Sequence, residues 1–487
     1  MLLPCSSNPT LTQKIFRANK MLKKGSDIEL DIQGAAFKGK GIGKVDGLAV
    51  FVPNTAPGDR VRAKIIKRKK SYCEGKLLEV LEAGPHRISP KCRHAQECGG
   101  CSWQHVDYEH QLHFKAEQVQ DHMERIGGFD HIKVEPTIGC ASPLYYRNKM
   151  EYSIGSRRWL NPQEIASDEY VDDRGFAAGL HAPGRYDKIL DLKECHLQES
   201  VSFKILNFVR SWCKRHDIEP YDNKAHTGFM RNVVIRTSEY TGDLMVNLVT
   251  NGESDDIIKS MSDSLLELSP KITTIVNNIN DRRNPTAVGR YENIIYGPGY
   301  IVDHIGPYRF KIGANAFFQT NTKQAEKLYE VARDYAGIEP GDTVYDLYCG
   351  VGTLSLYLSD DAHEVIGIEL SDVAIENARK NADDNNVDNV HFIEGDIREV
   401  LDDEAIRQHG APDCLITDPP RAGMHPEVVE FLNQLKIPKL VYVSCNSSTM
   451  ARDLQKLNEV YELQDVQPVD MFPQTYHIET VAKLRLK

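Results

Sequence analysis

The chain has 487 residues, too many for one hydrophobic core, so two to four domains are expected. At 41% hydrophobic and 26% charged it has the composition of an ordinary globular protein, with no apolar run long enough to span a bilayer. MLLPCSSNPT stops being apolar after three residues and shows no apolar h-region, so a cytoplasmic, non-membrane protein is the expectation. Eleven cysteines, an odd number spread through a large chain, then read as ligands, catalysts and core residues rather than as a disulfide framework.

The net charge of −11 is unevenly distributed. Residues 1–90 carry 17 Lys and Arg against 8 Asp and Glu, a local +9 that leaves −20 for the remainder. The densest stretch, RVRAKIIKRKK from Arg60 to Lys70, punctuates strand-like segments, the pattern of an electrostatic footprint on a phosphate backbone. After a polar leader, residues 20–83 give short strands in DIELDIQGAAF, GLAVFVP, DRVRAKIIKRKK and SYCEGKLLEVLE, separated by KGKGIGK and NTAPGD turns. A small five-stranded barrel of the OB kind is predicted, a surface that commonly holds oligonucleotides. GKGIGKVDG and VPNTAPGDRV resemble a TRAM domain, which implies an RNA-binding barrel attached to an RNA-modifying enzyme.

Residues 84–310 hold strand-like pieces such as YRNKMEYSIG, FMRNVVIRTS and DLMVNLVT, and read as an α+β central domain. KCRHAQECGGCSW places Cys92, Cys98 and Cys101 in a C-x5-C-x2-C run, with Cys195 far downstream in DLKECHL. Four thiolates hold either zinc or an iron-sulfur cluster, and structural zinc more often uses two C-x2-C arms where this chain has one.

From residue 311 to 487 strand and helix signals alternate through TVYDLYCGVGTLSLYLS, EVIGIELSDVAIENARKNADDN, VHFIEGDI, DCLITDPPRAG and LVYVSCN, predicting a Rossmann-like doubly wound sheet. Asp346 ends the first of these strands, Gly350 and Gly352 leave room for a ligand at the turn, and Glu369 ends the second, where a carboxylate can accept both ribose hydroxyls. Asp396 follows the third strand, placed to meet an adenine amino group. GVG lacks the third glycine that a pyrophosphate would want, so a phosphate-free nucleoside, S-adenosylmethionine, fits better than NAD. In KLVYVSCN a cysteine sits at a strand's carboxyl end, where such sheets place ligands; the alternative is a small buried hydrophobe.

FFQTNT (317–322), DLYCGVGTLSL, DPPRAG (418–423), VSCN (443–446) and HIET (477–480), in that order from the barrel to an expected last helix, resemble the RNA uracil-C5 methyltransferase family. The resemblance implies that Gln319, Tyr348, Thr353, Glu369, Asp396 and Asp418 line the S-adenosylmethionine site, with Asp418 alternatively holding the uracil edge. It further implies that Cys445 is a nucleophile adding to uracil C6 and Glu479 the base that removes the C5 proton. Pro419 and Pro420 stiffen the turn, and Arg421 is a candidate phosphate or base contact. The cysteine spacing resembles the 4Fe-4S site of the ribosomal-RNA branch, so Cys195 is carried over as fourth ligand. Barrel and cysteines together imply a monomeric enzyme acting on 23S ribosomal RNA, with the transfer-RNA branch as alternative. A radical enzyme would want C-x3-C-x2-C, and a non-catalytic RNA binder would not need Asp418, Cys445 and Glu479 together. Cys5, Cys73, Cys140, Cys213, Cys349 and Cys414 are read as structural.

Overall fold

The computed structural model describes residues 22–487 except 162, 163, 166, 168–174, 285 and 402. The polar leader, Cys5 and the first two residues of the expected barrel lie outside the described residues. Residues 22–35 and 40–85 form one compact unit, and residues 36–39 with 86–487 another.

The first unit is a six-stranded sheet ordered β1-β5-β6-β4-β3-β2, built from Asp27–Asp31 (β1), Gly34–Ala36 (β2), Lys40–Val45 (β3), Leu48–Val52 (β4), Arg60–Arg68 (β5) and Tyr72–Glu82 (β6). Strict alternation in β5 turns Val61, Ala63 and Ile65 inward onto Val50, Val52 and Cys73, and Arg60, Arg62 and Lys64 outward. The sequence reading of KGKGIGK as a turn is corrected, since β3 occupies most of it. Glycine there serves close packing: a methyl on Gly41 would strike Thr55 Oγ1, and one on Gly43 the Asp31 carbonyl. The outward charges are largely paired across strands, Arg60 with Glu29 and Glu82, Arg62 with Glu79, Lys64 with Asp27 and Lys67 with Glu74.

The second unit begins with a segment running into α1 (Tyr108–His122), capped by the Asp107 side chain on the His110 amide. A mixed seven-stranded sheet follows, ordered β13-β12-β11-β10-β7-β8-β9. Its strands are Lys149–Gly155 (β7), Ala177–His181 (β8), Ile189–Asp191 (β9), Met230–Thr237 (β10), Leu244–Thr250 (β11), Thr274–Ile279 (β12) and Tyr291–Tyr296 (β13). Ser200–Arg215 (α2) and Asp255–Leu268 (α3) pack on it, burying Ile205, Val209, Met261 and Leu265 against Val233, Val246 and Ile275.

A hairpin of Tyr300–Ile305 (β14) and Tyr308–Gly313 (β15) leads through residues 314–321 into Thr322–Ala336 (α4). The boundary expected at 310/311 falls inside β15, whose Phe310 and Ile312 share a core with the C-terminal sheet. That sheet is ordered β18-β17-β16-β19-β20-β22-β21. Thr343–Leu347 (β16), Glu364–Glu369 (β17), Val390–Glu394 (β18), Cys414–Thr417 (β19) and Lys439–Ser444 (β20) are parallel; Tyr461–Val469 (β21) and Glu479–Leu486 (β22) add an antiparallel edge. Connecting helices include Thr353–Leu358 (α5), Asp372–Asp384 (α6), Ile397–Val400 (α7), Pro426–Leu435 (α8) and Ser447–Leu457 (α9). Strand order reverses at β16, so the ligand crevice lies outside the carboxyl ends of β16 and β19. The expected last helix is instead β22: its Val481, Ala482 and Leu484 are buried in the sheet, a strand's pattern with both faces covered. Helix α1 also packs here, with Val119 in one core with Tyr345, Tyr442 and Met450. Among the described residues no helix is long and apolar enough to cross a membrane.

Candidate active site

Two carboxyls form the floor of the crevice. Asp346 on β16 is 1% exposed and accepts from Ser355 Oγ at 2.6 Å; burial pushes it up to about 7, helped by the Glu369 charge. Asp418, the residue after β19, is also pushed up to about 7 by burial and then by Asp346. Between β16 and α5 the chain turns through left-handed conformations at Tyr348 (φ 65°), Gly350 (56°) and Gly352 (76°). A bulky aromatic held there is strained, a mark of a ligand-binding turn. Glu369 fastens the turn, accepting from the Gly350 amide at 3.2 Å and the Ser371 amide at 3.0 Å.

A small cavity of about 50 Å³ opens over this floor, bounded by Gln319, Tyr329, Asp346, Tyr348, Thr353 and Asp418. The Tyr329 hydroxyl lies 2.9 Å from Thr353 Oγ1. Across Tyr348 lies a larger cavity of about 430 Å³ with Leu370, Met424 and Val428 on its apolar sides and Asp396 at its rim. The Asp396 carboxylate caps α7, and its bonds from Arg398 hold it down at about 2. Of the six residues expected to hold a cofactor, Gln319, Tyr348, Thr353 and Asp418 line one cavity and Asp396 the next. Glu369 lines neither and works through the turn. The residues fit S-adenosylmethionine in charge: two carboxyls for the cationic sulfonium and ammonium end, an apolar slot beside a carboxylate for adenosine. Asp346 was singled out at its strand end but not carried into the expected set, and Tyr329 was absent from it. A strand-end aspartate was the available signal for the first; the second sits on α4, remote in sequence.

Ser444 on β20 pairs with Thr480 on β22, so the next step outward brings Cys445 opposite Glu479. Burial pushes the Cys445 thiol up, as do the charges of Glu479 and Asp418, while a hydrogen bond from the Arg421 side chain pulls it down. Burial raises Glu479 well above the ordinary carboxylate range, with Asp418 adding to the rise and Arg421 opposing it. Asn446, the cap of α9, donates from Nδ2 to the Arg421 carbonyl at 2.9 Å, fixing the DPPR turn to the cysteine strand. A cavity of about 160 Å³ fronts Cys445, with Arg421, Gln118 and His477 on its walls. Tyr476 and His477 lie there with ring centroids 4.1 Å apart and tilted by 34°, and burial lowers His477 to about 4, leaving a neutral imidazole.

The fold brings Cys92, Cys98, Cys101 and Cys195 into one electrostatic group. Burial raises Cys98 to about 11 and Cys101 to about 12, and each feels the other cysteines. The Gly100 amide donates to Cys98 Sγ at 3.4 Å and Gln104 Nε2 to Cys101 Sγ at 3.2 Å, bonds suited to thiolates. Cys73, Cys140, Cys213, Cys349 and Cys414 are buried.

A doubly wound sheet with an antiparallel edge, paired carboxyls at its switch point and a strand-end cysteine define an S-adenosylmethionine-dependent methyltransferase. The family described as tRNA (Uracil-5-)-methyltransferase matches residues 238–486 and the TRAM domain residues 22–78. The chain belongs to that RNA uracil-5-methyltransferase family. It is 43% identical to an uncharacterized RNA methyltransferase of Chlorobaculum tepidum over 94% of this chain and 96% of that one. It is 40% identical to one of Bacteroides thetaiotaomicron over 93% and 100%. Among solved structures, the Pyrococcus abyssi tRNA (uracil-54, C5)-methyltransferase in complex with S-adenosyl-L-homocysteine superposes with TM-score 0.74 at 28% identity, covering 94% of this chain and 100% of that one.

Proposed function

We propose that the protein methylates C5 of a uridine in 23S ribosomal RNA through a covalent adduct to Cys445. The observation that carries the reading is the meeting of Cys445, Arg421, Asp418 and Glu479 where β19 and β20 end and β22 begins. Uracil C5 is too weak a nucleophile to accept a methyl group unaided. Addition of the Cys445 thiolate to C6 pushes an electron pair onto the ring as an enolate and makes C5 nucleophilic. S-adenosylmethionine, held by Gln319, Tyr348, Thr353, Asp396 and Asp418, with Glu369 bracing the turn, supplies the electrophilic methyl. Glu479 then takes the C5 proton, the C5–C6 double bond reforms and the thiolate leaves. Its raised pKa makes the ionised form of Glu479 a stronger base than an exposed glutamate. Arg421 stabilises the thiolate at both ends of the cycle.

Cys92, Cys98, Cys101 and Cys195 hold a 4Fe-4S cluster in this reading, supported by their number and their mutual proximity. Its role is to fold the surrounding segment, since uracil methylation moves no electrons through a metal. Protein purified without oxygen should be brown with about four irons; colourless protein with one zinc contradicts this.

Ribosomal RNA is favoured by the barrel and the cysteine set occurring together. Transfer RNA is the second reading, favoured by the similarity to the Pyrococcus abyssi enzyme over all of that chain. Labelled S-adenosylmethionine offered with 23S ribosomal RNA and with transfer RNA separates them: label in 5-methyluridine of the ribosomal RNA is expected, and label confined to transfer RNA overturns the assignment.

A further inference from the structure

We propose that His86, Asp107 and His110 form a binding site for a divalent transition-metal ion of the zinc class, distinct from both the cysteine group and the active site. The three side chains each offer a ligand atom, and those atoms lie within 4.8 Å of one another, the sole such trio among the described residues. His110 Nδ1 is 2.8 Å from Asp107 Oδ1 and His86 Nδ1 is 3.5 Å from Asp107 Oδ2. Ligand atoms around a tetrahedral ion at about 2.0–2.1 Å stand about 3.3–3.4 Å apart, close to the two spacings that Asp107 makes with the histidines.

His86 and His110 stack with centroids 3.2 Å apart at 22°. Aromatic pairs prefer offset or edge-on arrangements about 4.5–7 Å apart, and two protonated imidazoles this close would repel. Joint ligation of one ion by both Nδ1 atoms and the carboxylate would open this close stack, because lone pairs in the two ring planes must converge on the ion. Each side chain is about one-third exposed, at 33%, 31% and 33%, which leaves room for water to complete the coordination. Two imidazoles and one carboxylate suit zinc, cobalt or nickel rather than calcium or magnesium.

The position gives the ion work to do. Residues 86–107 form a loop carrying Cys92, Cys98 and Cys101, closed at its base by the Arg87–Val106 bridge and by bonds from the Ile88 amide to the His105 carbonyl and the Asp107 amide to the His86 carbonyl. A metal joining His86 to Asp107 and His110 would clamp that base onto the first turn of α1. It would hold the cysteine-bearing loop against the helix that supports the catalytic sheet.

Cobalt(II) is the probe, because its visible bands report nitrogen and oxygen ligands, while thiolate ligation adds an intense near-ultraviolet charge-transfer band. Full-length protein, purified without oxygen and dialysed against EDTA, should take up one equivalent of cobalt(II) with visible bands and no added thiolate band, and melt at higher temperature. His86→Ala and His110→Ala should weaken uptake at least about ten-fold, the scale of losing a ligand or its support. Asp107→Asn keeps a good helix cap, so weaker binding there cannot be assigned to an unfolded helix. Equal uptake by the three variants, uptake with only the thiolate signature, or none by the parent protein at about 100 µM would each overturn the proposal, since site affinities for this class lie far below that concentration.

Discussion

Lys115 on α1 and Asp470 after β21 form an ion pair in which neither side chain has any solvent exposure, across 355 residues of sequence. The Tyr108 hydroxyl donates to the other Asp470 oxygen at 2.8 Å, and Lys115 Nζ also donates to the Phe472 carbonyl at 3.2 Å. Gln111 Nε2 and Oε1 bracket Gln474, and the Tyr146 hydroxyl donates to the Pro473 carbonyl. The loop that delivers His477 and Glu479 to the site is therefore anchored by residues remote in sequence.

Removing one partner of that pair leaves the other charge buried alone. Lys115→Met should destabilise the protein by about 3–5 kcal/mol, whereas an exposed pair such as Arg125–Asp121 should contribute under about 1 kcal/mol. Denaturant unfolding of Lys115→Met, Arg125→Ala and parent checks the contrast; equal losses would show that the network is not what holds the loop.

Asp346 and Asp418, both near 7, pass from neutral to charged as pH rises from 6 to 8. A raised carboxyl pKa stabilises the empty protein below the ordinary carboxylate value, and that contribution is lost as pH climbs through about 7. The ligand-free protein should therefore melt lower at pH 8 than at pH 6. S-adenosylmethionine carries a sulfonium that S-adenosylhomocysteine lacks, so its affinity relative to the homocysteine product should rise about ten-fold over the same interval, for an added interaction near 1.4 kcal/mol. Asp418→Asn should flatten the rise; calorimetry showing a ratio unchanged with pH in the parent counts against the carboxyls meeting the cation.

Arg421 bears on the thiol and not only on RNA. With Arg421→Met the Cys445 thiolate loses its cationic partner while burial, Glu479 and Asp418 still oppose ionisation. Single-turnover rates should fall about 10²-fold, the cost of one charge-stabilising donor, and the pH at which activity rises should move upward. A change in RNA affinity alone, with an unmoved pH profile, would return Arg421 to the role of phosphate contact.

Barrel charges divide into paired and unpaired. Lys69, Lys70 and Lys76 are exposed and make no ion pair among the described residues, unlike Arg60 and Arg62. Replacing the three lysines with Gln should reduce the slope of log affinity against log salt by about 0.7–0.9 for each phosphate that is no longer neutralised. Replacing Arg60 and Arg62 should change it less, because their carboxylate partners already screen them. Identical slopes in all variants would move the RNA surface off the barrel.

What could be read from the sequence varied with the physics of each part. The parallel strands announced themselves because strands covered on both faces are near-continuous apolar runs, as in Leu440–Val443 and Leu415–Thr417. Their carboxyl ends then located Glu369, Asp418 and Cys445. Strand β3 did not, because Gly41 and Gly43 suppress the strand signal in order to let the chain approach Thr55 and Asp31. Strand β22 was obscured because the family motif HIET invited a helical reading, although Pro473 and the left-handed Gln474 (φ 67°) mark the turn before it. The hold of α1 on the loop before Glu479 was invisible, since nothing in a sequence pairs Lys115 with Asp470 or Gln111 with Gln474. The pairing of Arg421 with the Cys445 thiol likewise emerged from the fold, through the Asn446 bond that joins the two turns.

In the proposed cycle Cys445 attacks uracil C6 and Glu479 removes the C5 proton. RNA carrying 5-fluorouridine tests both steps at once, because fluorine cannot leave as a proton does and the methylated adduct should be trapped. Incubation with S-adenosylmethionine, denaturation and mass analysis should show the protein bound to methylated RNA through the peptide containing Cys445. Cys445→Ala should form no adduct and no 5-methyluridine while still binding S-adenosylmethionine. Near-normal turnover by Cys445→Ala, or a parent enzyme that methylates RNA yet leaves no denaturation-resistant complex with the fluorinated substrate, would contradict the covalent route.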